Sequence, residues 1–508
     1  MATECVLNDA EICKLGKCIR GVQGMHSNSS SPSDTWLLDF KSGTKYENSD
    51  GKFVDIPNAF CKVFIEPSSL EKWLERANVS MELANSWKGR YLTLQGLEYE
   101  LHFSEFVQRE IIDAKKSPHF VRTFSTGKSC KFQDLQETLE KGGISYPAAS
   151  LSRNMYYSIQ VHPTRPSIST PTIPEWPDWN NFRFSFLLNQ QIDNQSKTFH
   201  QWMHHNRDKH EFLPNLFAVL FQICQACYAL YLERACHNDL HSNNIWITHR
   251  PGVKTNVSYT VGSKTYIFPE TDHLVRLFDF DRSYAESLGP NPILDSVLCA
   301  NSGNCNTVIE PKDFVKILCY AVGAMKTPLQ QQIVRSILIE EGRDTQSIMV
   351  FNMIERGQCF PSEEILSDEN FSEFPSYQFM LEKIYNMWRH YSRKITIFEN
   401  IHIDESFVLN PPPEEEKKNA DGNEEDEEEE IETPRPRSER SDTPLLSPAM
   451  FEKETPPLSA SKRRMESAPG ARSGKSGIFS RSPWNLFHSN GDDFSGAPSS
   501  PVPPRIEA

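Results

Sequence analysis

No run of eighteen apolar residues occurs in the 508-residue chain, so no membrane-spanning helix is expected. The first residues, MATECVLNDAEICKLGKCIRG, lack an apolar stretch followed by a small-residue cleavage site, and no secretory signal is expected either. A basic stripe is missing too. Net charge is −15, and most of the excess is local: residues 414–430 hold eleven acids against two lysines, while residues 431–508 hold eleven bases against nine acids. The remaining −8 belongs to residues 1–413, a mildly acidic body on which no nucleic-acid surface is expected. Many of the twelve cysteines sit inside apolar stretches (Cys61, Cys224, Cys319), so buried reduced thiols are expected in place of a disulfide framework. Cys224 and Cys227 fall in a helical pattern and read as core. Cys299 and Cys305 could offer two thiolates, but two ligands alone do not make a zinc site.

Proline is plentiful, and it clusters. Six of the 34 prolines fall in residues 144–180, which read as a long insertion. Before it, Trp36–Phe40 and Ala59–Ile65 read as strands, and a helical pattern runs from about Glu98 to Ala114. After it, FRFSFLL (182–188) reads as a buried strand. Leu216, Leu220, Ile223, Cys227 and Leu230 recur at spacings of three and four, one face of a buried helix that ends before His237. Ile245–Thr248 and HLVRLFDFD read as strands, with a hairpin around Gly262-Ser263 between them, and helical patterns dominate from Asp313 to about Ser392. Beyond Pro411-Pro412-Pro413 the acidic run and a Ser/Pro/Arg-rich tail cannot bury enough apolar surface to offset chain entropy, so disorder is expected there. Six Ser-Pro or Thr-Pro pairs, from Thr433 to Ser500, make the tail a candidate for phosphorylation. SPWNLFHSN within it is a candidate docking motif.

Two stretches carry candidate chemistry. HNDLHSNNIWIT (237–248) follows the buried helix and leads into a strand, with Asn244 five residues beyond Asp239. VRLFDFDRS places Asp279 and then Phe280 at the end of a buried strand. Phosphoryl transfer needs a carboxylate to deprotonate the acceptor, ligands for Mg²⁺ and a cation on the phosphates. The competing reading is a capped turn followed by a surface acidic strand end. An ionised Asp in a phenylalanine-rich strand is costly without a partner, which favours the chemical reading.

On these two motifs, in this order and context, the chain resembles the protein kinase-like superfamily. It resembles the divergent serine/threonine kinases of large DNA viruses, and the haspin type in its Asp-Leu-His loop. The resemblance covers roughly residues 12–400. It implies an α+β bilobal fold, with a small β-rich N-lobe at 12–189 carrying the insertion near 144–180, and a mostly helical C-lobe at 190–405 carrying a hairpin insertion near 249–272. An acidic linker at 411–430 and a disordered tail at 431–508 follow. It further implies ATP and Mg²⁺ as cofactors, a protein Ser/Thr acceptor and an intracellular place, in cytoplasm, nucleus or virion. By the same resemblance Asp239 is the catalytic base, Asn244 and Asp279 are Mg²⁺ ligands, His237 is a scaffold residue and Asp313 anchors the catalytic loop. His241 stands where a lysine usually contacts the γ-phosphate.

The upstream matches are looser. LGKCIRG fits Gly-x-Gly-x-x-Gly with Cys18 in the middle, giving Gly16 and Gly21 as phosphate-loop candidates; a later frame uses Gly21 and Gly24. Lys62 is the candidate phosphate-binding lysine, alternating with Phe60 and Phe64, and Phe60 would crowd an adenine. Its helical partner is Glu100 or Glu105, with Glu100 preferred because it borders the buried stripe. Phe186–Gln190, with Leu188 at its centre, is the candidate hinge. Asn238 replaces the usual arginine of the catalytic loop, so no cation beside the base is expected to await an activation-loop phosphate, and activity is expected to be independent of activation-loop phosphorylation. Asp281 replaces a glycine, and no clear Ala-Pro-Glu follows. Two other functions compete: a small-molecule kinase of the aminoglycoside or choline type, which shares HxDLHxxN and often DFD, and a pseudokinase scaffold.

Overall fold

Alternation along NAFCKVFI sets the sheet that carries Lys62. Ala59, Cys61 and Val63 are fully buried on one face, while Phe60 and Lys62 are half-buried on the other. In the computed structural model the described residues are 5–7, 16–25, 33–48, 51–76, 81–141, 183–193, 195–250, 252, 255–295, 305–339, 374–392 and 401–411. All of them belong to one compact unit, Met1–Pro411. The insertion expected near 144–180, Cys299 and the tail lie outside the described residues.

Five antiparallel strands form the main sheet: β1 (Ile19–Met25), β2 (Ser33–Phe40), β3 (Asn58–Ile65), β4 (Thr123–Lys131) and β5 (Arg183–Gln190), in the order β1-β2-β3-β5-β4. Gly127 and Phe186 are partners across β4 and β5, and a Cβ on Gly127 would overlap the Phe186 ring. Helix α1 (Pro67–Arg76) follows β3, and the long helix α2 (Met81–Val107) continues into a π-helical turn, Gln108–Asp113. Leu94, Leu97 and Leu101 of α2 enter the core of the sheet, whereas Tyr99, Phe103 and Phe106 enter a second, larger core. Glu100 lies between these two stripes. Gly96 lets α2 approach the chain near Asp281, because a Cβ there would already stand 3.4 Å from the Asp281 carbonyl oxygen.

The larger core surrounds helix α5 (Phe212–Leu232), reached after α3 (Phe132–Lys141) and α4 (Phe199–Asn206). By length and composition α5 could cross a membrane, contrary to the expectation that no such segment exists, yet 78% of its most apolar window is buried in protein. Its two buried glutamines have specific partners. Gln222 accepts from Val275 N–H and donates to the His273 carbonyl, and Gln225 donates to the Lys116 carbonyl. Packed near α5 are β6 (Ile245–His249), the hairpin β7 (Thr255–Val261) and β8 (Lys264–Thr271), and β9 (His273–Leu277), which pairs antiparallel with β6. The hairpin turns at Gly262, with φ +58°, as its sequence leads one to expect. Helices α6 (Lys312–Ala324), α7 (Pro328–Arg335) and α8 (Tyr377–Ser392) come next, and β10 (Glu405–Leu409) closes the chain's described part by pairing parallel with β7. The chain is therefore mixed α+β, with several small sheets and eight α-helices among the described residues.

One buried histidine ties this region together. His119 bridges β9 and β7, with Nδ1–H donating to the Val275 carbonyl (3.2 Å) and Nε2 accepting from the Tyr259 hydroxyl (2.9 Å). Burial lowers its pKa from 6.5 to about 3, so the imidazole is neutral in the folded chain. The unfolded chain binds this proton near pH 6.5 and the folded chain only near pH 3, so stability falls as pH drops through that window. Between pH 7 and pH 5 wild type is expected to lose about 2 kcal/mol more than His119→Gln in urea unfolding. Equal losses in the two chains would assign the acid sensitivity elsewhere.

Candidate functional site

The loop after α5 is held from below. His237 is fully buried; its N–H donates to Asp313 Oδ2 on α6 (2.7 Å) and its Nε2–H to the Phe278 carbonyl (3.0 Å). Its own carbonyl accepts from Asp239 N–H (2.7 Å) and the Ser283 hydroxyl (3.2 Å). Asn238 then takes φ +61°, a left-handed conformation that asparagine tolerates better than most residues. Its side chain is fully buried, with Nδ2 donating to the Cys305 carbonyl and Oδ1 accepting from Lys312. That turn leaves Asp239 partly exposed. Asn244 Nδ2 donates back to the Asp239 carbonyl (3.1 Å), and the Asn244 carbonyl accepts from Phe278 N–H (3.2 Å), so the loop is sewn to the β9 exit.

Lys62 meets this loop region from the sheet. Its Nζ lies 2.7 Å from Glu100 Oε2 on α2 and 3.4 Å from Asp279 Oδ1 beyond β9. Desolvation opposes the charge on Lys62, but Glu100, Asp279 and Asp281 outweigh it and hold the ammonium above the usual lysine range. Burial pushes Glu100 up, and Lys62 pulls it part of the way back. For Asp279 burial acts in the same direction, yet the Lys62 ammonium prevails and keeps the carboxyl below its ordinary value. Asp279 also keeps 40% of its side chain exposed, which tempers the desolvation. Asp281 is pushed well up, by burial first and then by the Asp279 charge. The Asp279 backbone has φ +69°. Next to it, Phe280 packs on Phe103, Phe120 and His237, with ring centroids 5.2, 6.3 and 5.3 Å apart, and its N–H reaches Glu100. Tyr99, next to Glu100, accepts from Ala285 N–H and donates to the Gly289 carbonyl, which ties α2 to the segment after Asp279.

The structure brings Lys62, Glu100, Asp279, Asn244 and Asp239 into one region, and it selects Glu100 over Glu105. Glu105 instead takes the Thr126 hydroxyl and lies near His102. His241 Nδ1 accepts from Asn243 N–H, and the ring is within electrostatic range of Asp279. Gly16 and Gly21 are not brought to Lys62. In register, Gly21 faces Asp39 and then Asn58, four residues along β3 from Lys62, or about 13 Å, and Gly16 lies further off, before β1. Leu188 is likewise displaced from a hinge role: it is fully buried and paired with both Cys61 and Ser125, so its backbone belongs to the sheet.

A cation not identified from the sequence stands by the loop, and the expectation of reduced thiols alone is overturned. Arg282 Nη1 lies 3.3 Å from Asp239 Oδ2, and Lys316 Nζ donates to the neighbouring Asn238 carbonyl (2.6 Å). Arg282 follows Asp281 in sequence but was not linked to the loop by any spacing rule. Cys5 and Cys18 form a disulfide with Cα atoms 5.9 Å apart, and Cys305 is disulfide-bonded too. The strand Cys5–Val6 pairs with Thr44–Glu47, a contact that residue spacing does not disclose. Cys61, Cys224, Cys227, Cys236 and Cys319 are buried thiols outside any disulfide, as expected for all of them but Cys236, which was not read.

Because Lys62 and Glu100 are mostly buried, Lys62→Met leaves the Glu100 carboxylate without its compensating charge. A loss of about 3 kcal/mol is expected in chemical denaturation. Adding Glu100→Gln to Lys62→Met is expected to recover part of it, and failure to recover any would show that the pair is not coupled. No family model matches the chain, and no curated protein matches its sequence.

Proposed function

We propose that the chain is an ATP- and Mg²⁺-dependent phosphotransferase of the protein kinase-like superfamily, two-lobed, with a protein Ser/Thr hydroxyl as acceptor. One observation carries this reading: the Lys62 ammonium sits between Glu100 and Asp279, side chains from a strand, a helix and a strand exit, beside the Asp239–Asn244 loop. The separate cores of the five-stranded sheet and of α5 suit two lobes. In this reading Lys62, fixed by Glu100, neutralises ATP phosphates, and Asp239 takes the acceptor's proton.

Asp279 and Asn244 present a carboxylate and a carboxamide oxygen, the hard oxygen donors that suit Mg²⁺. When bound, Mg²⁺ would neutralise charge on the transferring phosphate. The Asn244 Nδ2 is held by the Asp239 carbonyl, so the carboxamide oxygen is the end that would serve such a cation. His241 remains a hydrogen-bond donor for the phosphate. Arg282 orients Asp239.

A second reading, a small-molecule kinase, is favoured by Asp281, which sits close enough to Asp279 and Lys62 to feel both charges. Incubation with γ-labelled ATP, Mg²⁺ and mixed acceptors, beside Asp239→Ala and Asp279→Ala, separates the readings. Label on proteins that is lost in both variants supports the protein kinase. Label on small metabolites alone supports the second reading. Absence of label with intact nucleotide binding points to a scaffold.

A further inference from the structure

Away from this site, the antiparallel register of β6 and β9 places His249 opposite His273, with Asp272 immediately before His273. Arg250 N–H donates to the Asp272 carbonyl (2.8 Å), so the ladder is intact up to this corner. One carboxylate faces two imidazoles: His249 Nε2–H donates to Asp272 Oδ2 (3.2 Å) and His273 Nδ1–H to Asp272 Oδ1 (2.6 Å). The rings stack with centroids 4.8 Å apart, and the three donor atoms lie within 4.8 Å of one another. We propose that His249, Asp272 and His273 form a binding site for a zinc-class divalent ion.

Two imidazole nitrogens and a carboxylate oxygen are a borderline donor set, suited to Zn²⁺ or Co²⁺ more than to Mg²⁺. Both nitrogens already converge on the carboxylate, and each carries the proton that an ion would displace. The deeper ligand is held in place: His273 is 10% exposed, Trp202 meets its ring edge-on at 5.8 Å, and Gln222 holds its carbonyl. His249 remains half-exposed, which leaves a path for the ion. The three side chains line a cavity of about 540 Å³ that His205 and His210 also border. Three protein donors leave room in the coordination shell for water or a further imidazole from that wall.

A surface ion pair alone is a weak account of the arrangement, since exposed His–Asp contacts add about 0–1 kcal/mol and need only one imidazole. The placement also has a consequence for the fold. β6 starts directly after Asn244, and β9 ends two residues before Asp279. An ion here clamps the far end of the ladder, about 14 Å along the strands, too distant to share ligands with those residues.

The test uses the full-length, tag-free chain stripped with chelator and titrated with Co²⁺ alone, then with Zn²⁺ in competition. One equivalent of Co²⁺ is expected to give a visible d–d absorption that Zn²⁺ bleaches. His249→Ala and Asp272→Asn, both at partly exposed positions, are expected to weaken binding at least about tenfold, the cost of losing even an outer-shell partner. Zn²⁺ is expected to raise the thermal midpoint of wild type and leave those of the variants unchanged. No absorption, equal affinity in the variants, or a thiolate charge-transfer band placing the ion on cysteine would each overturn the assignment.

Discussion

Asp239→Asn is expected, on the proposed function, to slow phosphoryl transfer about 10²–10⁴-fold while ATP binding stays close to wild type. The amide has the shape of the carboxylate but cannot take up the acceptor's proton. Its oxygen can still accept from Arg282, whose Nη1 lies 3.3 Å from the carboxylate in wild type. The turn is set by buried Asn238 and by Lys316 on its carbonyl, neither of which the substitution touches. Geometry is therefore preserved and only basicity is lost. Steady-state kinetics beside binding of a non-hydrolysable ATP analogue separates the two quantities. An unchanged kcat would remove Asp239 from the chemistry, and parallel losses in kcat and binding would make it a structural residue.

The second large effect is expected at Asp279. Asp279→Asn removes one of the two acids contacting Lys62 and, on the proposed function, the carboxylate offered to Mg²⁺. A loss on the order of 10²–10³ in kcat is expected, the usual consequence of deleting one electrostatic contributor to a transition state. Half-maximal activity should also need more Mg²⁺, which distinguishes a metal ligand from a residue that only positions Lys62. Asparagine suits the positive φ at this position, and the side chain is 40% exposed, so the fold is expected to tolerate the change. An unaltered Mg²⁺ dependence would dismiss Asp279 as a metal ligand. Glu100→Gln, by contrast, is expected to impair activity without shifting the Mg²⁺ requirement.

Much of the element pattern was legible because it depends on neighbours in the chain. The three- and four-residue spacing from Leu216 to Leu230 predicted the buried helix, and Gly262-Ser263 between β-rich runs predicted the hairpin, both of which are present. The strands β1 and β4, helix α1 and the C-terminal β10 were not read. Glycine interrupts the apolar alternation of β1, and glycine, lysine and serine interrupt that of β4, while β4 and β10 pair with strands far along the chain. The phosphate-loop frame was misplaced for a related reason. Gly16, Cys18 and Gly21 fit a spacing rule, but register along β1 and β2 carries them away from Lys62.

By itself the sequence determined the α+β character, the alternation that puts Lys62 on its own face of β3, and the Asp239–Asn244 spacing within one loop. Period and spacing within a few residues are enough for these, since they follow from local backbone geometry. Helical spacing already preferred Glu100 over Glu105 as the partner of Lys62, and the structure agrees. Only the tertiary structure decided that Asp279 joins them from 217 residues away and that Arg282 faces Asp239. The same holds for the Cys5–Cys18 pair and for His249 opposite His273. Each depends on an approach of side chains from separate elements, set by strand register and by how α2 packs on the segment after Asp279. No residue type or interval along the chain encodes such an approach.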